Sequence, residues 1–101
     1  IGKKLQKLGY GLAAKNAEGQ EITGFDQDTL EAYAILEHED WMEGKIKDGW
    51  TYAPQRDDTQ KKHNCLVEWN SLSDMYKEYD RDAAKNVIKL ASLAGMKVVE
   101  I

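Results

Sequence analysis

The sequence of 101 residues has little of what several classes of protein require. Its one cysteine, Cys65, has no second cysteine to pair with, which excludes an intramolecular disulfide and favours a reducing, cytoplasmic setting. Apolar runs are too short to span a bilayer, and no segment resembles a signal peptide. Acidic residues outnumber basic ones by 18 to 14, so nucleic acid is not an expected partner. A cytoplasmic domain without membrane or nucleic-acid contacts is therefore expected.

The composition is that of one ordinary globular domain. Hydrophobic residues make up 42% and charged residues 32% of the chain, without a bias toward disorder. The sequence starts at Ile1 rather than at an initiator methionine. We interpret it as a domain of a longer protein, whose other domains are expected partners.

The first long helix is predicted over Asp28–Lys47. Asp28 precedes Glu31 by three residues, which is the spacing of a capping box, and Gly49 is placed to end the helix. The apolar positions between them cover more than one stripe of the helix surface. This pattern indicates a helix that packs against two neighbours.

A second long helix is predicted from Ser71 to Ala94, where Ser71 and Asp74 form another capping-type pair and Gly95 follows the last apolar position. Small and branched apolar residues repeat in it at three- and four-residue intervals. The polar stretch at Tyr79-Asp80 favours a break within this helix.

Shorter elements are predicted around the two long helices. Ile1–Leu8 has the pattern of a short amphipathic helix, and Tyr10–Ala14 with Gln20–Thr23 favours a small hairpin. Leu66–Trp69 alternates as a short strand or an extended anchor would, and Lys97–Ile101 is β-prone.

These elements predict a mainly α fold with minor β structure. We expect a compact single domain in which the two long helices support a long ordered loop, Trp50–Trp69, and short strands. Residues 1–29 are predicted to form the N-terminal helix and hairpin, which pack on or lead into a main domain of residues 30–101.

Several motifs in the middle of the chain resemble one known family. In chain order they are Glu37-His38 with Trp41, Asp48-Gly49-Trp50-Thr51-Tyr52, Pro54-Gln55-Arg56-Asp57-Asp58, Lys62-His63-Asn64-Cys65-Leu66-Val67 and Glu78-Tyr79-Asp80-Arg81. Together they resemble the RyR domain, the repeat of ryanodine receptor calcium channels that also occurs in single copy in bacterial proteins. The resemblance covers residues 30–101. Ala53-Pro54 stands where the family usually has Gly-Pro, and His63-Asn64-Cys65 where it usually has His-Pro-Cys.

The resemblance implies a regulatory module without channel activity. A single-copy bacterial member would be a ligand-sensing domain of a larger cytoplasmic protein, with a nucleotide-like small molecule as its suspected ligand. Because the receptors pair two repeats, a homodimer is a further candidate. The rival hypothesis is a protein-interaction or scaffold module, in which the central loop contacts a partner domain or a second copy.

The central loop also holds the best candidate for an anion site. We expect a ring to stack on Trp50 or Tyr52, and an anion to be held by Arg56 with Lys62 or His63. The candidate ligand-binding residues are Trp50, Tyr52, Arg56, Lys62, His63 and Arg81. Each has a structural alternative, because the aromatic residues could pack in the core and Asp57 or Asp58 could hold an arginine to pin the loop.

Catalytic and metal-binding motifs are not apparent. His63 and Cys65 lie two residues apart, but no second cysteine, orienting partner or ligand-spaced histidine accompanies them. Cys65 has the setting of a small buried apolar residue, and His38 is expected to be hydrogen-bonded by Glu37 or Asp40. The sequence contains no phosphate-binding glycine loop or nucleophile elbow. We therefore predict a protein without enzymatic activity, metal or cofactor.

Overall fold

Residues 2–101, which the computed structural model describes, contain three α-helices and four short β-strands joined by loops. In chain order they are α1 (Gly2–Lys7), β1 (Tyr10–Ala14), α2 (Gln27–Lys47), β2 (Thr51–Tyr52), β3 (Lys62–His63), a 3₁₀ turn (Trp69–Ser71), α3 (Asp74–Leu93) and β4 (Met96–Glu100). The predicted mainly α fold with minor β structure is confirmed. Ile1, which was predicted on the apolar face of the first helix, lies outside the described residues.

Helix α2 is capped by Asp26 rather than by Asp28. The Asp26 carboxylate accepts a hydrogen bond from the Thr29 N–H at 2.7 Å, which satisfies one free donor of the first turn. The cap lies two residues earlier than predicted because the first turn itself includes Asp28. At the other end Gly49 has a φ of 89°, a conformation that glycine adopts without steric cost, and the helix ends there as predicted.

Helix α3 is continuous from Asp74 to Leu93, so the predicted break at Tyr79-Asp80 is wrong. The predicted capping pair is also wrong, because Ser71 ends the 3₁₀ turn and Ser73 is the N-cap. Tyr79 lies on the exposed side of the helix, so its polar side chain does not interrupt the backbone hydrogen bonds of the helix. Gly95, with a φ of 75°, follows the C-cap and turns the chain into β4.

The N-terminal strand pairs with the last strand of the chain. β1 and β4 run antiparallel, with Tyr10 opposite Glu100 and Ala14 opposite Met96. The predicted hairpin of β1 with Gln20–Thr23 is therefore wrong, since that segment forms no strand and contributes only the Ile22 N–H, which donates to the Val98 carbonyl at 2.8 Å. After α3 the chain turns back into β4, which is more β-prone than the polar segment Gln20–Thr23. β4 is therefore the better partner for β1.

The hydrophobic core lies where the β1–β4 sheet, α1, the first half of α2 and the second half of α3 meet. Its fully or nearly fully buried members are Leu5, Tyr33, Ala84, Val87, Ala91 and Val98. Phe25 bridges the sheet and α2, since its ring lies 5.4 Å from that of Tyr10 and 6.5 Å from that of Tyr33. Burial of these side chains provides most of the stabilisation of this end. Within residues 2–101, no helix has the length and apolarity to cross a membrane.

Candidate functional site

The loop between α2 and α3 is held in one conformation by short backbone and side-chain contacts. β2 and β3 pair in parallel, with Thr51 beside Lys62, and the Asp57 and Lys62 backbones exchange hydrogen bonds at 2.9 Å. Between them the Asp57 carboxylate accepts from the N–H groups of Thr59 and Gln60, as in an Asx turn. These contacts place the residues before and after the turn at fixed positions against α2.

His38 anchors the second part of this loop to α2. Its Nε2 donates to the Val67 carbonyl at 2.7 Å, and its Nδ1 lies 3.8 Å from the Asp80 carboxylate. The expectation that Glu37 or Asp40 hydrogen-bonds His38 is wrong; both of these carboxylates pair with Lys4 instead. The predicted short strand at Leu66–Trp69 does not form, since the chain bends at Val67 and Trp69 begins the 3₁₀ turn.

His63 is buried between aromatic rings, and its Nδ1 acts as a hydrogen-bond acceptor. Its Nδ1 accepts the Cys65 backbone N–H at 3.0 Å, which leaves the proton of the neutral ring on Nε2. The ring meets Trp41 edge-on at 4.9 Å. Burial lowers the pKa of His63 below its usual 6.5, and the charges of Arg56 and Lys45 lower it further. His63 therefore presents a neutral N–H rather than a positive charge.

Two helices and the loop enclose a cleft of about 340 Å³. Its lining residues are His38 and Trp41 from α2, Arg56, His63, Asn64, Cys65 and Leu72 from the loop, and Tyr76, Tyr79 and Asp80 from α3. Aromatic side chains from α2 and α3 form its walls, and polar groups converge on it from all three elements. This combination of an apolar wall with a few placed polar groups is typical of small-molecule sites.

Arg56 lies at the rim of this cleft and is paired with Asp58. Its Nε and Nη2 donate to the two carboxylate oxygens at 2.7 and 3.1 Å. The arginine lowers the pKa of Asp58 below its usual value, chiefly through these hydrogen bonds. Both side chains are more than half exposed, at 59% and 63%. A ligand anion could therefore replace Asp58 as the partner of Arg56.

Cys65 and Asp80, which also line the cleft, have pKa values shifted toward their neutral forms. Burial raises the pKa of the Cys65 thiol, and the Asp80 charge raises it further. Burial also raises the pKa of Asp80, an effect that the nearby His38 opposes. A thiol shifted in this direction is a weak nucleophile. Among residues 2–101 there is no group of three potential metal ligands.

The structure brings some of the predicted ligand-binding residues together and separates others. Arg56 and His63 line the cleft, and Trp50 lies behind it, 6.1 Å from the His63 ring with Lys45 Nζ 4.3 Å above its own ring. Tyr52 is 53% exposed on β2 and does not line the cleft.

Lys62 and Arg81 are engaged elsewhere. The Lys62 ammonium donates to the Thr51 hydroxyl at 2.8 Å. The Arg81 guanidinium donates to both carboxylate oxygens of Glu31, at 2.8 and 2.9 Å, and to Glu78 at 2.8 Å. Arg81 thus joins α3 to α2 outside the cleft, and its guanidinium also lies 5.8 Å from the centre of the Trp69 ring.

Sequence reasoning missed how the cleft is assembled from the two helices. His38 and Trp41 are three residues apart on α2, and Tyr76 and Asp80 are four apart on α3, so each pair shares a helix face. Tyr79 was not among the candidate ligand-binding residues. The helical spacing of these aromatic and polar residues was the signal available in the sequence.

A larger cleft of about 600 Å³ lies at the other end of α3. Leu30, Ile88 and Met96 form part of its apolar lining, and Lys85 and Lys89 are on its rim. Aromatic side chains do not oppose one another there, since Phe25 is its one aromatic lining residue. The smaller cleft is therefore the better candidate for a specific site, because donors, acceptors and aromatic rings converge on it.

Comparison with protein families gives one match that covers most of the chain. The sequence model of the RyR domain matches residues 15–100 of the 101. The cleft and the loop lie wholly within the matched part, whereas α1 and β1 precede it. The division of the chain after residue 29 stays a prediction. Because the family is one of non-catalytic domains, the match indicates a regulatory or interaction module. The chain belongs to the RyR domain family.

Proposed function

We propose that this RyR domain is a ligand-sensing regulatory module, and that its cleft binds a small, anionic, nucleotide-like molecule. The observation that carries the proposal is the convergence of aromatic walls from α2 and α3 with a guanidinium, Arg56, at the rim of the same cleft. We place the module within a larger bacterial cytoplasmic protein, whose other domains would respond to the ligand.

The ring of the ligand is proposed to lie against Trp41, Tyr76 and Tyr79. Stacking on aromatic faces stabilises a bound base by about 1–3 kcal/mol and tolerates different rings. Tyr79 is 65% exposed in this structure, so a ligand could cover it without displacing a packed neighbour. Trp50 is less suited to stacking than expected, because Lys45 already lies over its ring.

The anionic group of the ligand is proposed to bind Arg56 in place of Asp58. A guanidinium presents a planar pair of donors that matches a phosphate or a carboxylate. The Nε2–H of His63 adds a neutral donor within the cleft, and Asp80 and Asn64 offer acceptors to the N–H groups of a base. Lys62 would have to leave the Thr51 hydroxyl to take part.

A thermal-shift and calorimetric titration tests the proposal with nucleotides, dinucleotides and cyclic nucleotides. A ligand at about 100 times its Kd raises stability by roughly 2.7 kcal/mol, which for a domain of this size is a shift of several degrees. We expect Arg56→Ala to abolish the shift and Asp58→Asn to increase the affinity, because the latter frees the guanidinium. Lys47→Ala, on the exposed end of α2, is the matched control.

Two results would contradict the proposal. The first is the absence of any shift across the whole ligand set, and the second is a shift that Arg56→Ala leaves unchanged. Arg56 is exposed, and its contacts are with Asp58, so its loss is not expected to unfold the loop.

An interaction module is the second candidate function. Met75 and Tyr79 lie four residues apart on α3 and are 59% and 65% exposed, so they form an apolar patch beside the cleft. A partner side chain could occupy the cleft through this patch. Met75→Glu separates the two functions, because Met75 does not line the cleft; it should weaken a protein partner but leave a small ligand bound.

A further inference from the structure

The outer edge of β1 has free backbone hydrogen-bonding groups. Gly9 and Ile101 form a hydrogen-bonded pair, in which the Ile101 N–H donates to the Gly9 carbonyl at 2.9 Å. Bonded and non-bonded pairs alternate along an antiparallel ladder. In the register of β1 with β4, the backbone N–H and C=O groups of Gly11 and Ala13 therefore point toward β4. The backbone groups of the residues between and beside them point away from it. The residues that face outward are Tyr10, Leu12 and Ala14.

Two further bonds agree with this assignment. On β4 the carbonyl of Val98, which lies opposite Leu12, accepts the Ile22 N–H from the side away from β1. The outward carbonyl of Ala14 accepts the N–H of Ala17. Within residues 2–101, the remaining outward groups of β1 have no hydrogen-bond partner: the N–H and C=O of Tyr10 and of Leu12, and the N–H of Ala14.

This edge lacks the features by which sheet edges usually avoid pairing. Natural edge strands are protected by charged side chains, proline, bulges or a covering segment. β1 reads Tyr-Gly-Leu-Ala-Ala and pairs with β4 without a bulge, and it contains neither a charge nor a proline. On β4, by contrast, the Ile22 segment takes up an outward carbonyl.

Leu12 is an apolar side chain at this edge that the rest of the chain leaves partly uncovered. It is opposite Val98, which is 1% exposed, so the two side chains are on the core face of the sheet. Leu12 nevertheless remains 36% exposed, because no strand continues the sheet beyond β1. A neighbouring strand would extend the same face and cover it.

We propose that two copies of this chain pair through β1, antiparallel and centred on Leu12, to form a four-stranded sheet. In this register Leu12 lies opposite Leu12 of the second copy, and Tyr10 lies opposite its Ala14, a large residue against a small one. The N–H and C=O of Leu12, the C=O of Tyr10 and the N–H of Ala14 then find free partners, because outward residues oppose outward residues. The Tyr10 N–H meets the Ala14 carbonyl of the second copy, which would accept it beside the N–H of Ala17. Lys15 falls opposite Gly9, so like charges do not meet across the pair. The interface lies outside the cleft and is independent of the ligand proposal.

A strand pair of this length buries a small area, so the dimer is expected to depend on concentration. Sedimentation equilibrium over a hundredfold range of concentration measures it, with Leu12→Pro as the decisive variant. Proline at an edge position whose N–H faces outward removes that donor and leaves the β1–β4 bonds intact. We expect Leu12→Pro to weaken dimerisation tenfold or more and Leu12→Val, which keeps the N–H, to retain it.

Amide hydrogen exchange of the unmodified chain tests the proposal even if Leu12→Pro fails to fold. The amides of Tyr10, Leu12 and Ala14 should become protected as concentration rises, while Gly11 and Ala13, which face β4, should be protected throughout. A chain that stays monomeric across the range, a dimer that a folded Leu12→Pro retains, or outward amides that exchange freely in the dimer would each overturn the proposal.

Discussion

The two halves of helix α2 lie in different surroundings and are held in different ways. The first half buries Tyr33 in the apolar core with Leu5 and Val98. Ala34 beside it is also buried. The second half buries His38, whose polar contacts are a loop carbonyl and a carboxylate. One end of the protein is thus stabilised mainly by non-directional burial and the other by directed hydrogen bonds.

The difference follows from what each half covers. The core end faces helices and paired strands whose backbone groups toward the core are already hydrogen-bonded to one another, so apolar side chains suffice there. The other end faces a loop with little regular structure, and polar side chains must satisfy its backbone. The same polar groups leave a cleft with placed donors and acceptors, which is why the candidate site lies at this end.

The largest effect is expected from Leu5→Ala at the core end. Leu5 is fully buried, and truncation of a buried leucine removes about 2–5 kcal/mol of unfolding free energy through lost burial and the cavity that remains. Chemical denaturation of the purified domain measures it. Leu93→Ala is the control, since Leu93 is 76% exposed and should lose little. A small loss at Leu5 would contradict the view that burial stabilises this end.

A smaller but more local effect is expected from His38→Leu. The substitution keeps an apolar volume but leaves the Val67 carbonyl without its donor, which costs roughly 1–3 kcal/mol. Hydrogen exchange should increase in the loop before it increases in the β1–β4 sheet. His38→Gln, which can still donate, should recover part of the loss. Equal destabilisation of both ends would show that the two halves are not distinct.

A gain in stability is expected from Tyr33→Phe. Tyr33 is fully buried, and its hydroxyl has no hydrogen-bond partner in residues 2–101. Removal of a buried hydroxyl without a partner should raise the unfolding free energy by about 1 kcal/mol. Thermal denaturation of the two proteins measures the difference. A loss instead would mean that a bound water satisfies the hydroxyl.

The smallest effects are expected in the pH dependence of stability, with opposite signs at the two ends. Burial raises the pKa of Asp80 above 3.8, so the folded state binds the extra proton, and stability falls as pH rises through the raised pKa. The hydrogen bond from Arg81 lowers the pKa of Glu31 below 4.5. The stability that this pair contributes is present above pH 4.5 and is lost as pH falls through the lowered pKa.

The prediction is checked by measuring the unfolding free energies of Asp80→Asn and Glu31→Gln at pH values from below 3.8 to 7. The first variant should gain stability relative to the unmodified protein as pH rises, and the second should lose it. Asn and Gln keep the size of each side chain, so the difference in slope reports the charge. If the unfolding free energy depended on pH in the same way in both variants, the opposite pKa shifts of Asp80 and Glu31 would be contradicted.

The helices could be predicted from sequence more closely than the contacts between them. Helical periodicity and the glycines at 49 and 95 gave α2 and the end of α3, because these signals act within a few residues. The breadth of the apolar surface of α2 also indicated that it has several neighbours. The N-cap at Asp26 was missed because two acidic residues two positions apart offer the same local chemistry.

The candidate site was predicted only in part. Arg56 and His63 are close in the sequence and lie on one loop, so their proximity could be expected. The pairing of Arg81 with Glu31 joins residues fifty positions apart, and no local pattern specifies it. The same holds for the Val67 carbonyl of the loop, whose donor is His38 on α2.

The sequence by itself determined the class of the fold, the C-terminal ends of the two long helices and the family, because each depends on local propensity or on motifs in order. Only the tertiary structure decided that β1 pairs with β4, that His38 holds the loop, and that Trp41 and Tyr79 face one cleft. These are contacts between distant segments. Which of them forms depends on the burial and hydrogen bonding of the whole chain, and several pairings would satisfy the local pattern equally well.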